Sequence, residues 1–227
     1  MSYLELKTDQ FFTLTGQEYL YPLFRESLYP WEILPMIASY IKALGPKLPS
    51  DRFEQKGDMI WIARSASIAE YTTIIGPAII GESVEVRPGA YIRGNVFVGE
   101  GSVVGNATEL KNAILLGKVE VPHFNYIGDS ILSYGAHLGA GVITSNLRSD
   151  RNTVHIRFGN KRISTDLRKL GALIAENVEV GCNAVLNPGV MLARGSTVYP
   201  LSNVRQYVPA DFIYKTNGEM IRRITVE

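Results

Sequence analysis

The chain has 227 residues, of which 46% are hydrophobic and 20% are charged, with a formal net charge of +1. This composition argues against intrinsic disorder, and the near-neutral charge provides no basic field that would recruit nucleic acid. A lone cysteine, the absence of any apolar run near the roughly 20 residues that cross a bilayer, and the absence of a secretory signal pattern predict a soluble cytoplasmic protein without a membrane partner.

Residues 1–57 are predicted to form a helical extension. The stretch PWEILPMIASYIKALG has helical apolar spacing, with Pro30 at its start and Gly45 and Pro46 at its end. A second short helix is expected in TGQEYLYPLFRES, with Thr15 or Gly16 near its cap. Because the extension is rich in aromatic residues, we expect it to cover an open end or a side of the domain that follows.

From residue 58 to residue 207 the sequence repeats every six residues. Two inward side chains in every six residues, with glycine near the corners, suit short strands joined by tight bends, and three such units close a triangular coil. The repeated aliphatic positions are Ile62, Ile68, Ile74, Ile80, Val86, Ile92, Val98, Val104 and Leu110, and then Ile174, Val180, Leu186, Leu192, Val198 and Val204.

The repeat predicts an all-β solenoid, in the form of a left-handed parallel β-helix. The hand comes from the known association of hexapeptide repeats with that fold, and not from the spacing. The alternative is a β-rich chain without regular coils or an antiparallel sandwich. After Leu110 the repeat continues at Leu116, Val121, Ile127, Leu132 and Leu138, with two intervals shortened to five.

Two further segments interrupt or end the coils. A polar and basic loop, residues 144–173, is inserted, and within it TVHIRF and KRIST flank Gly159 and Asn160 as a hairpin would. Long excursions from a compact repeat are usually functional or disordered. Residues 208–227 contain Asn217 and Gly218 between apolar-alternating arms, which predicts a β-hairpin that caps the solenoid.

One of the three histidines, His123, lies in the stretch PHFNYIGDS. Histidine titrates near neutral pH, so it can accept the proton of an amine or hydroxyl that attacks a thioester. The residue taken alone favours the alternative, a structural histidine that is hydrogen-bonded to a backbone carbonyl.

The stretches HFNYIGDS and LGAGVITSNLR carry a more specific signal. They resemble the acetyltransferase domain of the bifunctional N-acetylglucosamine-1-phosphate uridylyltransferase/glucosamine-1-phosphate acetyltransferases. SNLRSD and LRKLGAL resemble the archaeal-type sugar-1-phosphate nucleotidylyltransferase/acetyltransferases. The resemblance covers about residues 58–215 and implies a trimeric acetyl-CoA-dependent N-acetyltransferase acting on a hexosamine 1-phosphate, most simply glucosamine 1-phosphate.

These relatives carry a nucleotidylyltransferase domain in front of the coils. Its glycine-rich signature is not found in this sequence, and the helical extension that precedes the coils is too short for such a domain. We therefore expect no uridylyltransferase activity.

The resemblance assigns roles to individual residues. His123 corresponds to the general base, and Asn146 to a residue that helps to hold the acetyl group and the base. The residues expected to bind the sugar phosphate are Arg87, Lys111, Tyr126, His137 and Lys169. His137 departs from the family, which has asparagine there, and imidazole cannot replace both hydrogen bonds of an amide.

Acetyl-CoA is the only cofactor implied, as a co-substrate. The residues expected to bind it are Ala140, Asn146, Leu147, Cys182, Pro200 and Lys215. Arg205 is a further candidate for the phosphates of CoA, together with Lys215. Several of these contacts involve backbone atoms in the family, so residue identity constrains them weakly.

Three other functions stay open at this stage. A non-catalytic scaffold would keep the fold and have an occluded cleft beside His123, and an acyltransferase would have another sugar or a sugar nucleotide as its acceptor. Metal catalysis is the third, because the γ-class carbonic anhydrases bind zinc through three histidines on this fold. That family has two of its ligands close together in sequence. His123, His137 and His155 are instead widely spaced along this chain, so we expect no metal.

Overall fold

Successive coils of the chain stack on one another through parallel backbone pairing. The computed structural model describes residues 3–14 and 18–224. Ile62 pairs with Ile80, and Ile80 with Val98, so each of these coils consists of three hexapeptide units. The next two coils are each one residue shorter, since Val98 pairs with Leu115 and Leu115 with Leu132. The prediction of a left-handed parallel β-helix is confirmed.

The coils form a prism with three faces. Glu109–Leu115 and Tyr126–Leu132 turn a corner, so that their first residues belong to the third face and their last residues to the first. The other strands of the first face are Ile60–Ala63, Ala78–Ile80, Val96–Val98, Ala172–Ile174 and Val190–Leu192. The second face contains Ser67–Ile68, Glu85–Val86, Val103–Asn106, Glu120–His123, His137–Leu138, Glu179–Val180, Thr197–Val198 and Phe212–Tyr214. The rest of the third face is Thr73–Ile74, Tyr91–Ile92, Ile143–Thr144, Val185–Leu186 and Asn203–Val204.

The repeated aliphatic residues fill the interior of the prism. From Ile80 onward, those of the first regular run are no more than 1% exposed. One predicted position is wrong. Leu115, and not Leu116, points into the solenoid, because Leu115 pairs with Val98, whereas Leu116 packs in the separate outer cluster. The first shortened interval therefore lies between Leu110 and Leu115.

The first face is apolar on its outer side as well. Its strands contain three apolar residues in a row, and the middle one packs outside the solenoid. These outer side chains are in register from coil to coil and are at most 7% exposed: Trp61, Ile79, Phe97, Ile114, Ile131, Leu173 and Met191. They share one hydrophobic cluster with the N-terminal extension. The extension thus covers a side of the solenoid, as its aromatic composition suggested.

The extension is a chain of short helices. They are Tyr3–Leu6, Thr8–Phe11, Tyr21–Arg25, Pro30–Met36, Ile37–Leu44 and Gly45–Lys47, and the first, fourth and last of these are 3₁₀ helices. The single helix predicted after Pro30 is therefore divided in two, because Pro35 has no N–H to donate within it. The predicted cap at Thr15 or Gly16 lies outside the described residues. Among the described residues, no helix is long and apolar enough to span a bilayer.

The last residues of the predicted extension are not helical. Phe53–Gly57 form a strand antiparallel to Ile60–Ala63. This pairing gives the first coil a partner on its N-terminal side, which satisfies backbone groups that a sheet edge otherwise leaves exposed.

The inserted loop leaves the third face after Thr144 and returns to the first face at Ala172. The predicted hairpin within it is formed by His155–Phe158 and Lys161–Ser164. The C-terminal hairpin is also present. Phe212–Tyr214 continue the second face, and Met220–Arg222 pair antiparallel to them.

The outer cluster gives a test of how the extension is held. Ile114→Ala should lower the free energy of unfolding by about 2–5 kcal/mol, because Ile114 is fully buried between the first face and the extension. Ile75→Ala is the matched control, since Ile75 is 46% exposed and should change stability by about 0.5 kcal/mol or less. Equal effects of the two substitutions in chemical denaturation would show that the extension does not cover this face.

Candidate active site

Four of the predicted site residues lie in one column at the corner between the second and third faces. Val121 pairs with Val104, and Leu138 with Val180, so the residues that follow them stack from coil to coil. The next coil continues the stack, since Val180 pairs with Val198. Two residues after Val121, Leu138, Val180 and Val198 come His123, Ala140, Cys182 and Pro200, respectively. We call this column the His123 edge.

The backbone of His123 is fixed from inside the solenoid by Asn125. The Asn125 side chain is buried, its Oδ1 accepts from the His123 N–H at 3.1 Å, and its Nδ2 donates to the Gly139 carbonyl at 2.9 Å. The His123 carbonyl accepts from the Gly141 N–H at 3.0 Å. The imidazole itself is exposed and, within the part of the chain that the structure describes, makes no hydrogen bond. The side chain is therefore not occluded by other described residues of the same chain.

Two predicted cations lie near the same edge. Arg87 is at the corner of an earlier coil, where its Nε donates to Glu85 at 2.8 Å, and this ion pair raises the pKa of the arginine. Lys215 follows the last strand of the second face and pairs with Glu219 at 3.2 Å. Arg205 follows the third face instead, so one chain does not bring Arg205 and Lys215 together.

Bulky apolar side chains project from the His123 edge. Phe124 and Leu201, each one residue beyond a member of the column, are 62% and 69% exposed. Both have left-handed backbone conformations, with φ of +52° and +60°. Left-handed conformations recur at the corners of this solenoid, and bulky residues adopt them less readily than glycine, asparagine or aspartate do. The edge thus offers an apolar surface next to an unpaired imidazole.

A second group of predicted residues surrounds Asp129 at the corner between the third and first faces. Lys111 Nζ lies 2.8 and 3.0 Å from the two oxygens of the buried Asp129 carboxylate. Asn112 Nδ2 donates to the same carboxylate at 3.0 Å, and Asn146 Nδ2 donates to its other oxygen. We call this group, with Tyr126, the Asp129 edge. The shared carboxylate holds the lysine and both amides in fixed positions.

Tyr126 completes this group. Its hydroxyl oxygen accepts from Asn146 Nδ2 at 3.2 Å, which leaves the hydroxyl hydrogen free to donate to a ligand. Burial raises the pKa of the Tyr126 hydroxyl, and the nearby Asp129 carboxylate raises it further. Tyr126 therefore stays protonated, as a hydrogen-bond donor, at neutral pH.

A cavity of about 510 Å³ lies over the Asp129 edge. Leu34 and Pro35 of the extension form one wall, and Asn112 donates weakly to the Leu34 carbonyl at 3.4 Å. The inserted loop supplies the opposite wall, where Leu147 bridges to Lys169. The cations that line the cavity are Arg151, Arg168 and Lys169, none of which has a carboxylate partner among residues 3–14 and 18–224.

His137 belongs to neither edge. It lies in the middle of the second face, and its Nδ1 is 2.8 Å from Glu179 Oε2. His155 lies in the inserted hairpin, so the three histidines occupy three different regions. Among the described residues, no three His, Cys, Asp or Glu side chains are grouped so that they could hold a metal ion.

The structure thus places most of the predicted residues, with the exception of His137, at two different edges of one chain. Sequence reasoning assigned no role to Asp129 and Asn125, which organise the two edges. A signal for both was present in NYIGDS, because a polar residue at a repeat corner is buried only when neighbouring coils satisfy it. Arg151 and Arg168 carried no such signal, since only the path of the inserted loop places them beside Lys169.

Comparison with known proteins places these features in a family. Residues 74–157 match the family described as the GMPPB C-terminal domain. The bifunctional protein GlmU of Methanococcus vannielii is 31% identical over 213 residues, which cover 86% of this chain and 47% of that protein. The bifunctional sugar-1-phosphate nucleotidylyltransferase/acetyltransferase of Sulfurisphaera tokodaii is 35% identical over 150 residues, which cover 66% and 37%. The chain spans about half, or less, of the length of these two curated relatives.

A third relative is matched over most of its own length. The uncharacterized acetyltransferase YaiX of Escherichia coli O6:K15:H31 is 30% identical over 169 residues, which cover 74% of this chain and 73% of that protein. The resemblance first drawn from HFNYIGDS and LGAGVITSNLR is thereby confirmed. The chain belongs to the hexapeptide-repeat acetyltransferases and is related to the GlmU-like bifunctional proteins.

Proposed function

We propose that the protein transfers the acetyl group of acetyl-CoA to the amine of a hexosamine 1-phosphate, with glucosamine 1-phosphate as the first candidate. The observation that carries this proposal is the His123 edge. His123, Ala140, Cys182 and Pro200 form a straight column three coil spacings long, or roughly 14 Å. An extended thioester can lie along such a column, with its reactive end beside the exposed imidazole.

The chemistry follows from the position of the base. The acceptor amine attacks the thioester carbonyl carbon, His123 accepts the amine proton, and the C–S bond breaks to release the CoA thiolate. The imidazolium can then return its proton to the thiolate, so that the products are an amide and free CoA. An exposed histidine without a partner among the described residues suits this role, since imidazole is able to accept and return a proton.

The Asp129 edge suits the acceptor. Lys169 and the two arginines of the cavity provide positive charge for a phosphate. Lys111, which is ion-paired with Asp129, has a third ammonium hydrogen left to donate, and Asn146 and Tyr126 provide polar groups for sugar hydroxyls. Arginine binds phosphate through a planar fork and lysine through a point charge. Leu34 and Pro35 would limit the size of the sugar.

Because the base and the acceptor groups lie on different edges of one chain, we propose that neighbouring copies complete each site. The exposed Phe124 and Leu201 give the His123 edge apolar surface for this contact. A cyclic trimer would place the His123 edge of one copy against the Asp129 edge of the next and would form three equal sites.

The reaction is tested by thiol release from acetyl-CoA with a panel of acceptors. Glucosamine 1-phosphate, galactosamine 1-phosphate and a uridine-diphosphate amino sugar should be compared at equal concentrations. We expect release with at least one hexosamine 1-phosphate. Release only with the nucleotide-linked sugar would change the acceptor class, and no release with any of them would favour a non-catalytic scaffold.

The role of the histidine is tested by His123→Ala. This substitution should lower kcat by about 10²- to 10⁴-fold, the usual contribution of general acid–base catalysis, and leave acetyl-CoA binding little changed. Asn106→Ala is the control, since Asn106 pairs with His123 one coil earlier. If Asn106→Ala lowered kcat at saturating substrates as much as His123→Ala, the effect would be structural and the base would lie elsewhere.

Shared sites are tested by mixing variants. Lys111→Ala should raise KM for the acceptor by about 10- to 100-fold, because it removes a charge-assisted hydrogen bond of about 1.5–3 kcal/mol. Lys118→Ala, at the third corner of the prism, should leave KM unchanged. When Lys111→Ala and His123→Ala chains are unfolded and refolded together in equal amounts, about a quarter of the sites in random trimers regain both intact edges.

Turnover of this mixture, measured at acceptor concentrations far below the wild-type KM, should clearly exceed the mean of the two separate preparations. A mixture that only reaches that mean would place both groups of one site in the same chain. A monomer mass in light scattering for an active preparation would also contradict the shared site.

A further inference from the structure

The inserted hairpin borders a second polar cavity, whose lining includes Arg205, the candidate for the phosphates of CoA. Its volume is about 740 Å³, and it lies between the hairpin and the corner residues Asn187 and Arg205. Arg157 and Arg162 line it from the two strands of the hairpin, together with His155. We call it the arginine cavity.

The arginine cavity has a surplus of positive charge. Its carboxylate, Asp150, is held by Arg148, whose Nε donates to it at 2.9 Å. Arg157 and Arg162 have no acidic partner in the described part of the chain, and Arg205 has only a long 3.4 Å contact to Asn203. Three guanidinium groups without carboxylates around one cavity are typical of an anion site.

The arrangement also costs stability when no anion is bound. Arg157 and Arg162 are directly opposite each other in the hairpin register. Like charges at such positions repel, and the repulsion destabilises the pair of strands. A bound anion that accepts hydrogen bonds from both side chains would remove this cost.

The hairpin is fixed to the solenoid, so the cavity is preformed. The Arg157 carbonyl accepts from the Tyr207 N–H at 2.9 Å, and the Phe158 ring packs edge-on against Tyr207 at 4.9 Å. Ile156, which precedes them in the same strand, is fully buried. The backbone of the strand that carries Arg157 is thereby held beside Tyr207, two residues after Arg205.

The ring of His155 adds a directed group. Its Nδ1 lies 3.0 Å from the Thr153 carbonyl, which can only accept, so Nδ1 carries the hydrogen. Nε2, the other ring nitrogen, is an acceptor in the neutral ring and a donor in the doubly protonated ring.

We propose that the arginine cavity binds the phosphate groups of a nucleotide. Leu147 lines both this cavity and the one over the Asp129 edge, so the two cavities are neighbours, and a ligand that occupied both would pass Leu147. The phosphates have two possible sources, the 3′-phosphorylated ADP part of CoA or the diphosphate of a nucleotide-linked sugar acceptor. The link to a substrate rests on the proposed acetyl transfer, whereas the binding of a nucleotide phosphate does not.

The test compares wild-type protein with the double variant R157A/R162A by isothermal titration calorimetry. The probes are CoA, dephospho-CoA, UDP and a uridine-diphosphate amino sugar. For a probe that carries the recognised phosphate, we expect R157A/R162A to bind more weakly than the wild type by at least about 10-fold for each arginine removed. The matched control is R222A/R223A, which removes two exposed arginines from the C-terminal hairpin and should bind every probe as the wild type does.

The pattern of losses identifies the source. The 3′-phosphate of CoA is supported if the double substitution weakens the binding of CoA strongly, weakens that of dephospho-CoA much less, and leaves that of UDP unchanged. A loss for UDP and its sugar conjugate, with CoA unchanged, supports a nucleotide-linked acceptor. Equal affinities of wild type and R157A/R162A for all four probes, or no binding of any probe to the wild type, overturn the proposal.

The stability of R157A/R162A can be measured separately from its affinity for the probes. Without ligand, R157A/R162A should unfold at the same or a higher denaturant concentration than the wild type, because the repulsion between the two arginines is gone. Binding is measured without turnover, so failure of acetyl transfer with every acceptor would count against the proposed function alone.

Discussion

Parallel backbone pairing between coils is the interaction on which the rest of the structure depends. Because each strand pairs with the equivalent strand of the next coil, every corner position recurs directly above its predecessor. Residues that lie in one line on the surface are therefore separated in sequence by a nearly constant interval, except where the inserted loop intervenes. The column that begins at His123 and the ladder of Asn112, Asp129 and Asn146 are both products of this register. A slip of one residue would move both from the corners to the faces.

The tight corners impose a second constraint, since many of them need a left-handed backbone conformation. At the Asp129 edge this requirement and the chemistry agree. Asn112 and Asp129 have φ of +49° and +47°, a region that short polar side chains tolerate best, and their side chains bond to each other. At the His123 edge Phe124 and Leu201 accept the same conformation without that advantage. Their side chains remain exposed, and they are the apolar surface on which the proposed contact between copies depends.

The additions to the solenoid decide which parts of the prism stay open. The extension covers the outer side of the first face, where Ile114 and its neighbours would otherwise be exposed, and its Leu34 reaches the Asp129 edge. The inserted loop leaves at the same corner and supplies Lys169 and the arginines. The His123 edge carries no such addition among the described residues. The asymmetry gives one edge a walled, basic cavity and leaves the other edge exposed.

The sequence by itself determined the solenoid, the two hairpins and the residue types of the site, because a hexapeptide period and Asn217 with Gly218 depend only on local spacing and turn chemistry. The single error inside the coils, Leu116 for Leu115, arose where the interval shortened between two adjacent leucines and local pattern could not choose. Only the tertiary structure decided that His123 and Lys111 lie on different edges, and that Asp129 joins Lys111 to Asn146. It also decided that Arg157 and Arg205 line one cavity. These pairings join residues from different coils or from the inserted loop, and loop paths and buried polar contacts are set by packing and not by any repeat that the chain carries.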